Sequence, residues 1–412
     1  MDPDRFEVKL SERMGRLPPY LFGKINALKL ARRRAGEDVI DLGMGNPSDP
    51  PAAPVIEKLV EAARDPRNHR YSQSSGIVNL RREIAKRYRK TWGVKLNAER
   101  EVIACIGSKE GFSHMCLALL GPGDTALVCD PAFPIHIYGP MIAGANVIRV
   151  PLVSDQDEFI RRLVDVATHL LPRPKVLILN FPHNPTAMTV DRSFFEEIAR
   201  FARMYGVMVM HDFAYGETCF GDYRAPSFLE IDGAKDVACE FYTMSKPYNM
   251  AGWRVGFCVG NADMIAALAK IKGYYDYGIF QPIQIAAIVA MRECDDAVLE
   301  QAKAYEKRRD ALCAGLARIG WHAPVPRASM FVWARYPEKF DRVGSVDLAL
   351  RLLDRAGVAV APGRAFGDYG EGYMRLALVE NEQRLTQAVR EIQRAVRRDD
   401  FLSGEAFHGE AV

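Results

Sequence analysis

A mostly parallel α/β sheet with crossover helices is the fold class this sequence predicts. Short runs rich in apolar and β-branched residues end in polar or charged side chains and alternate with segments of helical periodicity. At 412 residues the chain exceeds what one small core absorbs and suits two domains of roughly 100 to 200 residues each. With 49% hydrophobic and 26% charged residues, its composition is that of an ordinary globular protein.

The opening residues, Met1-Asp-Pro-Asp-Arg-Phe-Glu7, lack the apolar core of a secretory leader. No apolar run approaches the roughly 18 residues that span a bilayer, so no membrane and a cytoplasmic location are expected. Gly107-Ser108-Lys109-Glu110-Gly111 stands before an apolar helical stretch at 112–120, so its backbone N–H groups should crown a helix start and offer a phosphate site. Residues 125–130, 175–180, 206–212 and 239–243 read as buried strands, and ligands in open α/β sheets collect beyond the carboxyl ends of such strands. Residues 193–203 have helical periodicity, with Ser193 and the carboxylates behind it suited to the helix start. Their content of Ala, Glu, Lys, Arg and Leu predicts one long helix over 292–318. The last residues, 399–412, carry Gly, Ser and Glu without periodicity and are expected to form a mobile tail.

Charge and cysteine content exclude several functions. A formal charge of +3, from 55 basic and 52 acidic residues, leaves no electrostatic footprint for nucleic acid. Arg32-Arg33-Arg34 and Arg81-Arg82 read as solvated helix faces. The 8 cysteines are scattered, with no Cys-x-x-Cys and no Cys/His pair at metal spacing. They are expected to be reduced core residues, and no metal is expected.

Chemistry concentrates just after the predicted strands. Lys246 stands in Thr243-Met-Ser245-Lys246-Pro-Tyr-Asn-Met-Ala-Gly-Trp-Arg254. Most lysines are solvated surface charges, but this one follows an apolar strand, and a lysine amine placed there can condense with an aldehyde and act as a base. Asp212 closes the run Val-Met-Val-Met-His-Asp; it needs a partner if buried, the alternative being a helix cap. His211 beside it should face the other side of the strand and serve packing. Arg375, in Tyr-Met-Arg-Leu-Ala-Leu, is flanked by apolar residues, and its planar fork suits a carboxylate.

Taken in order, Asn184-Pro185-Thr186, Asp212-Phe-Ala-Tyr215, Ser245-Lys246 with Arg254, and Arg375 resemble the class I/II aminotransferases, the fold-type I pyridoxal phosphate enzymes. The resemblance runs from about residue 18 to 395. Leu17-Pro-Pro-Tyr20, Asp41-Leu-Gly-Met-Gly-Asn-Pro47 and Tyr274-Tyr-Asp-Tyr-Gly278 look most like the bacterial glutamate–pyruvate (alanine) aminotransferases. The resemblance implies a large α/β/α cofactor domain at 46–304 and a smaller α+β domain from both chain ends, 1–45 and 305–398. Lys246 is then both cofactor anchor and general base, and Asp212 the partner of the pyridine nitrogen. Asn184 and Tyr215 resemble the donors to the ring hydroxyl oxygen, although Asn-Pro is also a common turn. Ser108, the Lys109 backbone N–H, Thr243, Ser245 and Arg254 would form the phosphate cup. Phe133 matches the aromatic that stacks on the ring, where many relatives have Tyr or Trp; a core aromatic is the alternative. Arg375 would bind the α-carboxylate, and Tyr71 resembles a tyrosine that reaches the phosphate of a neighbouring subunit, which would make a homodimer with shared sites.

The substrate is less legible. Relatives specific for dicarboxylates bring a second arginine from the partner, whereas residues 273–281 have none and carry Asp276, expected to repel a substrate carboxylate. Gly45, Met44 and Tyr20 as a lid suggest a small or uncharged side chain. Alanine with glutamate and 2-oxoglutarate is the leading expectation by resemblance. Methionine or another neutral amino acid, LL-diaminopimelate, a β-eliminating lyase or decarboxylase of the same fold, and a degenerate regulator are the alternatives.

Overall fold

The computed structural model of the chain describes residues 8–19 and 21–403. Its strands in order are β1 (Ile40–Asp41), β2 (Val102–Cys105), β3 (Thr125–Asp130), β4 (Asn146–Pro151), β5 (Val176–Asn180), β6 (Met208–Asp212), β7 (Ala238–Thr243), β8 (Gly256–Gly260), β9 (Phe331–Arg335), β10 (Val358–Ala359), β11 (Ala361–Pro362) and β12 (Tyr373–Ala377). Seven of them form one sheet in the order β2-β8-β7-β6-β5-β3-β4. Every pairing from β4 across to β7 is parallel, and β8 alone runs against its neighbours.

The continuous apolar runs of β3 and β5 arise because both sheet faces are covered. Leu127, Leu177, Leu179 and Val209 join one core with Leu80, Ile84, Tyr88, Phe194, Phe195 and Ile198. Their neighbours Ala126, Val128, Val176, Ile178 and Met210 join the core on the opposite face with Phe112 and Met115. This is the two-residue alternation of a strand, with apolar partners on both sides.

A second body is built on β11-β12-β9, an antiparallel sheet, and on the parallel pair β1-β10. Its core takes Ile40 and Leu42 from the N-terminal part and Trp321, Tyr336, Leu352 and Ile392 from the C-terminal part. Helices Ser345–Ala356 and Glu382–Val396 cover it with strongly amphipathic faces.

The long helix expected over 292–318 is Asp295–Arg318, and two other expectations are corrected. A separate helix, Gln281–Glu293, precedes the long one and ends at Cys294. Asp295 opens the long helix, where a carboxylate favours the dipole, and Arg87 and Lys90 bind it there. The helix expected to start at Ser193 spans Arg192–Tyr205, with Asp191 at the cap position and no side-chain cap bond. Its register is set instead by the buried Phe194, Phe195, Ile198 and Ala199 stripe. Finally, the first tail residues are docked. Phe401 is buried against the Phe340 ring, and Arg351 and Arg355 donate to the Phe401 and Asp400 carbonyls. The remainder of the expected tail, 404–412, lies outside the described residues.

All 8 cysteines are free, and seven of them are buried. Among the described residues no helix is long and apolar enough to cross a membrane.

Candidate active site

The strands that end side by side deliver the chemistry. Asn184 follows β5 by a short turn, Asp212 is the last residue of β6, and Lys246 comes just after β7. Because these strands are parallel neighbours, all three residues arrive at one edge of the sheet. They line a cavity of about 430 Å³ together with Gly45, Ser108, Lys109, Phe133, Tyr215, Thr243, Ser245, Arg254 and Arg375. Two expected residues are not in this group. Tyr71 is 86% exposed and packs on the Tyr277 ring at 4.6 Å, and Tyr20 lies outside the described residues.

Lys246 Nζ donates to the Gly45 carbonyl at 2.6 Å. Burial brings the amine down to about 8, helped by the positive charges of Arg375 and Arg254 and opposed by Asp212. Near neutral pH a useful fraction is therefore unprotonated, the form that attacks a carbonyl. Gly45 has no room for a side chain, because the Phe331 ring lies against it.

Asp212 Oδ2 lies 2.9 Å from His136 Nε2, and both residues are buried. The other oxygen, Oδ1, is buried with no hydrogen-bond partner among the described residues. Leaving such an acceptor unmet costs on the order of 1–3 kcal/mol, so the site is built to receive a donor there. His136 was invisible as a site residue in the sequence: it lies on helix Pro134–Ile142, remote in sequence from Asp212, and no local motif joins them. His211 faces the other side as expected, with Nδ1 2.8 Å from the buried Glu240 carboxylate.

A short network orients the neighbours. The Asn180 amide donates to the Asp212 carbonyl at 2.7 Å, and its oxygen accepts the Asn184 N–H at 2.8 Å. Asn184 Oδ1 in turn accepts from Arg375 Nη1 at 2.8 Å, while Arg375 Nη2 donates to the Gly43 carbonyl at 2.8 Å. The Arg375 guanidinium carbon lies 4.1 Å from the Phe331 ring centre and 4.6 Å from that of Phe366. Its plane is thus fixed by two acceptors and two aromatic rings. Burial pushes the Tyr215 phenol up, so it stays a neutral donor at working pH.

At the other end, Gly107 precedes helix Ser108–Leu119 at φ +79, and a side chain there would strike the Arg254 guanidinium. Arg254 has a left-handed backbone at φ 57, and its Nη1 donates to the Ala251 carbonyl at 2.9 Å. The Thr243 and Ser245 hydroxyls bond each other at 2.9 Å. A helix N-terminus, an arginine and hydroxyls around one space make a cradle for a phosphate. Lys109 is exposed at the mouth, its amine 5.8 Å from the Phe133 ring centre.

Asp276 was expected to repel a substrate carboxylate. It does not face the cavity of this chain; its carboxylate binds Lys272 Nζ at 2.9 Å and accepts the Gly278 N–H at 2.7 Å. That lysine also binds Glu110 at 3.0 Å, so one positive charge serves two carboxylates. The sequence reasoning also passed over Asn180 and Phe331, which line the cavity. Asn180 closes the apolar run of β5, the signal that marked Asp212 on β6, whereas nothing in its local sequence distinguishes Phe331 from an ordinary core residue.

The donor set fits a phosphorylated pyridine aldehyde: a phosphate cradle, an unmet buried carboxylate oxygen for a ring N–H, and a lysine amine of lowered basicity, all lining one cavity. Residues 37–392 match the family model for aminotransferase class I and II. The chain belongs to that family. This class I/II aminotransferase therefore moves amino groups between amino acids and 2-oxo acids, in a family of pyridoxal phosphate enzymes. It is 48% identical to the glutamate-pyruvate aminotransferase AlaC of Escherichia coli, over 96% of each chain. It is 41% identical to the LL-diaminopimelate aminotransferase of Moorella thermoacetica, over 95% of this chain and 99% of the relative. Among solved structures, substrate-bound BacF of Bacillus subtilis superposes with a TM-score of 0.90 at 32% identity, covering 94% of this chain and 98% of that one.

Proposed function

We propose that the enzyme holds pyridoxal 5′-phosphate in this cavity and exchanges amino groups between alanine and 2-oxoglutarate, with pyruvate and glutamate as products. The observation that carries the cofactor reading is the unmet Asp212 oxygen in the same cavity as the Lys246 amine. When bound, the cofactor supplies an electrophilic carbonyl and a ring that accepts electrons. Ser108, the Lys109 N–H, Thr243, Ser245 and Arg254 would hold its phosphate, and Phe133 would cover the ring face. Asp212 would keep the ring nitrogen protonated. With Asn184 Oδ1 taken by Arg375, the donor end of that amide is what Asn184 offers the ring hydroxyl oxygen, beside Tyr215. Lys246 is the attachment point and, once displaced by substrate, the base that removes the substrate's Cα proton; a basicity near 8 suits that task at cellular pH. Arg375 grips the α-carboxylate of every substrate.

The resemblance to AlaC supports alanine and glutamate as the pair. Lys109, which has no carboxylate partner among the described residues, would take the distal carboxylate of glutamate at the cavity mouth. The Gly45–Phe331 contact narrows the opposite wall in a way that suits a methyl side chain. A second reading, LL-diaminopimelate as donor, is favoured by relatives of that name at 41% and 43% identity, and Lys109 would serve its distal carboxylate equally. We take the enzyme to be cytoplasmic, in keeping with its free thiols. We also take it to be a homodimer, since Tyr71 and Tyr277 pack on each other at 4.6 Å while both stay exposed, the kind of surface that marks a protein interface.

Half-reactions followed by loss of the yellow colour test the reading. Alanine and glutamate should convert the cofactor faster than aspartate does. Faster conversion by LL-diaminopimelate than by alanine would move the assignment to the second reading, and a colourless protein that takes up no pyridoxal phosphate would overturn it altogether.

A further inference from the structure

One carboxylate ties the loop carrying Phe366 to the large sheet. Asp130 ends β3, shortly before Phe133 of the cavity wall, and is 1% exposed. Its two oxygens accept the backbone N–H groups of Asp368 and Tyr369, each at 3.3 Å. Arg149 of β4 lies 3.3 Å from the same carboxylate and also binds Asp368 at 2.9 Å. Arg364 holds the other oxygen of Asp368 at 2.8 Å. Gly367 between them has φ +137, and a side chain there would run into the Asp130 carboxylate, so the close approach requires glycine. A backbone bond reinforces the join: the Ala132 N–H donates to the Phe366 carbonyl at 2.8 Å.

The consequence reaches Arg375. Phe366 is fully buried with its ring centre 4.6 Å from the guanidinium carbon. The strand before this loop, β11, pairs with β12 so that Ala361 lies opposite Arg375. Asp130 therefore bears on the arginine through one short segment, while itself ending the strand that leads to Phe133.

We infer that Asp130 is a positioning residue for substrate binding: by clamping the 366–369 loop it sets the Phe366 ring against Arg375 and so holds the guanidinium plane that grips the α-carboxylate. The inference rests on Arg375 having that role. An asparagine at 130 keeps one acceptor for the loop N–H groups but loses the charge facing Arg149, so the loop loosens without a gap in the core. Buried charge-assisted contacts of this kind are stronger than neutral ones, and a binding group that loses its orientation loses grip on the substrate.

The test is steady-state kinetics of the holoenzyme and of Asp130→Asn, Phe366→Leu, Arg375→Ala and the Asp130→Asn/Arg375→Ala double variant, with alanine and 2-oxoglutarate. Asp130→Asn should raise KM for both substrates about tenfold with kcat at saturation within about threefold, the split expected when binding geometry rather than chemistry is disturbed. Phe366→Leu, which leaves the clamp intact but removes the ring, should show the same split. In the Arg375→Ala background Asp130→Asn should cost less than about twofold, because the two residues act on one contact. Equal losses in both backgrounds, or a Phe366→Leu variant with unchanged KM, would overturn the clamp. An Arg375→Ala variant with unchanged KM would instead refute the carboxylate role on which the clamp depends.

Discussion

At Lys246 a single amine is tuned by its surroundings. Desolvation is the largest influence lowering its pKa to about 8, followed by the charges of Arg375 and Arg254. The sign of each contribution leads to a test. Removing a nearby positive charge favours the protonated amine, so Arg375→Gln should raise the Lys246 pKa. Capture of pyridoxal phosphate by the apoprotein requires the neutral amine. Its rate should climb as pH rises through about 8 in the parent, and the midpoint should move to higher pH in Arg375→Gln. Stopped-flow absorbance against pH measures both, and a midpoint that stays put or falls would show that Arg375 does not act on Lys246. The sequence marked Lys246 and Asp212 because each ends an apolar strand, a local pattern. It could not mark His136, whose importance is only its 2.9 Å approach to Asp212 across the fold.

At the scale of elements, the phosphate cradle depends on how closely two segments meet. The turn at Gly107 has φ +79, and the Arg254 guanidinium occupies the space where a Cβ would go. Gly107→Ala should therefore both strain the turn, at a cost on the order of 1–3 kcal/mol, and push Arg254 off the cradle. The expected outcome is weaker pyridoxal phosphate affinity by about tenfold or more, with a lower melting temperature for the apoprotein. Titration of the apoprotein by absorbance and a thermal melt check it; unchanged affinity would show that Arg254 is not part of the phosphate site. The helix start at 108 was legible because glycine and small polar residues precede an apolar run. The long helix at 295–318 was legible from composition; the pairing of Asp295 at its start with Arg87 and Lys90 was not, because those partners come from a distant segment.

At the scale of the whole molecule, Tyr71 is, among the described residues, the expected site residue that the single chain leaves outside the cavity. Tyr71 is 86% exposed in the single chain and packs on Tyr277, which is a poor resting place for two large aromatics unless something covers them. If Tyr71 completes a neighbour's site, two inactive variants should rescue one another. Mixing Tyr71→Ala with Lys246→Ala chains under conditions that exchange subunits should yield one intact site per mixed dimer, and activity up to about half that of the parent per mixed dimer is expected from that count. Mixed dimers with no activity would mean each site is built from one chain.

What the sequence determined by itself was the local grammar: strands as continuous apolar runs, functional residues at their carboxyl ends, and a glycine-led helix start for an anion. Such signals survive in one dimension because burial on both faces and backbone conformation are read over a few neighbouring residues. Tertiary structure alone decided the rest. It set Arg375 against Asn184 and Gly43, segments far apart in the chain. It joined Asp276 and Glu110 to one buried lysine, Lys272. It anchored Phe401 in the second core where the composition read as a mobile tail. Each of these depends on which distant groups share a desolvated space, and the strength of a charge or the order of a terminus follows from that sharing rather than from neighbours along the chain.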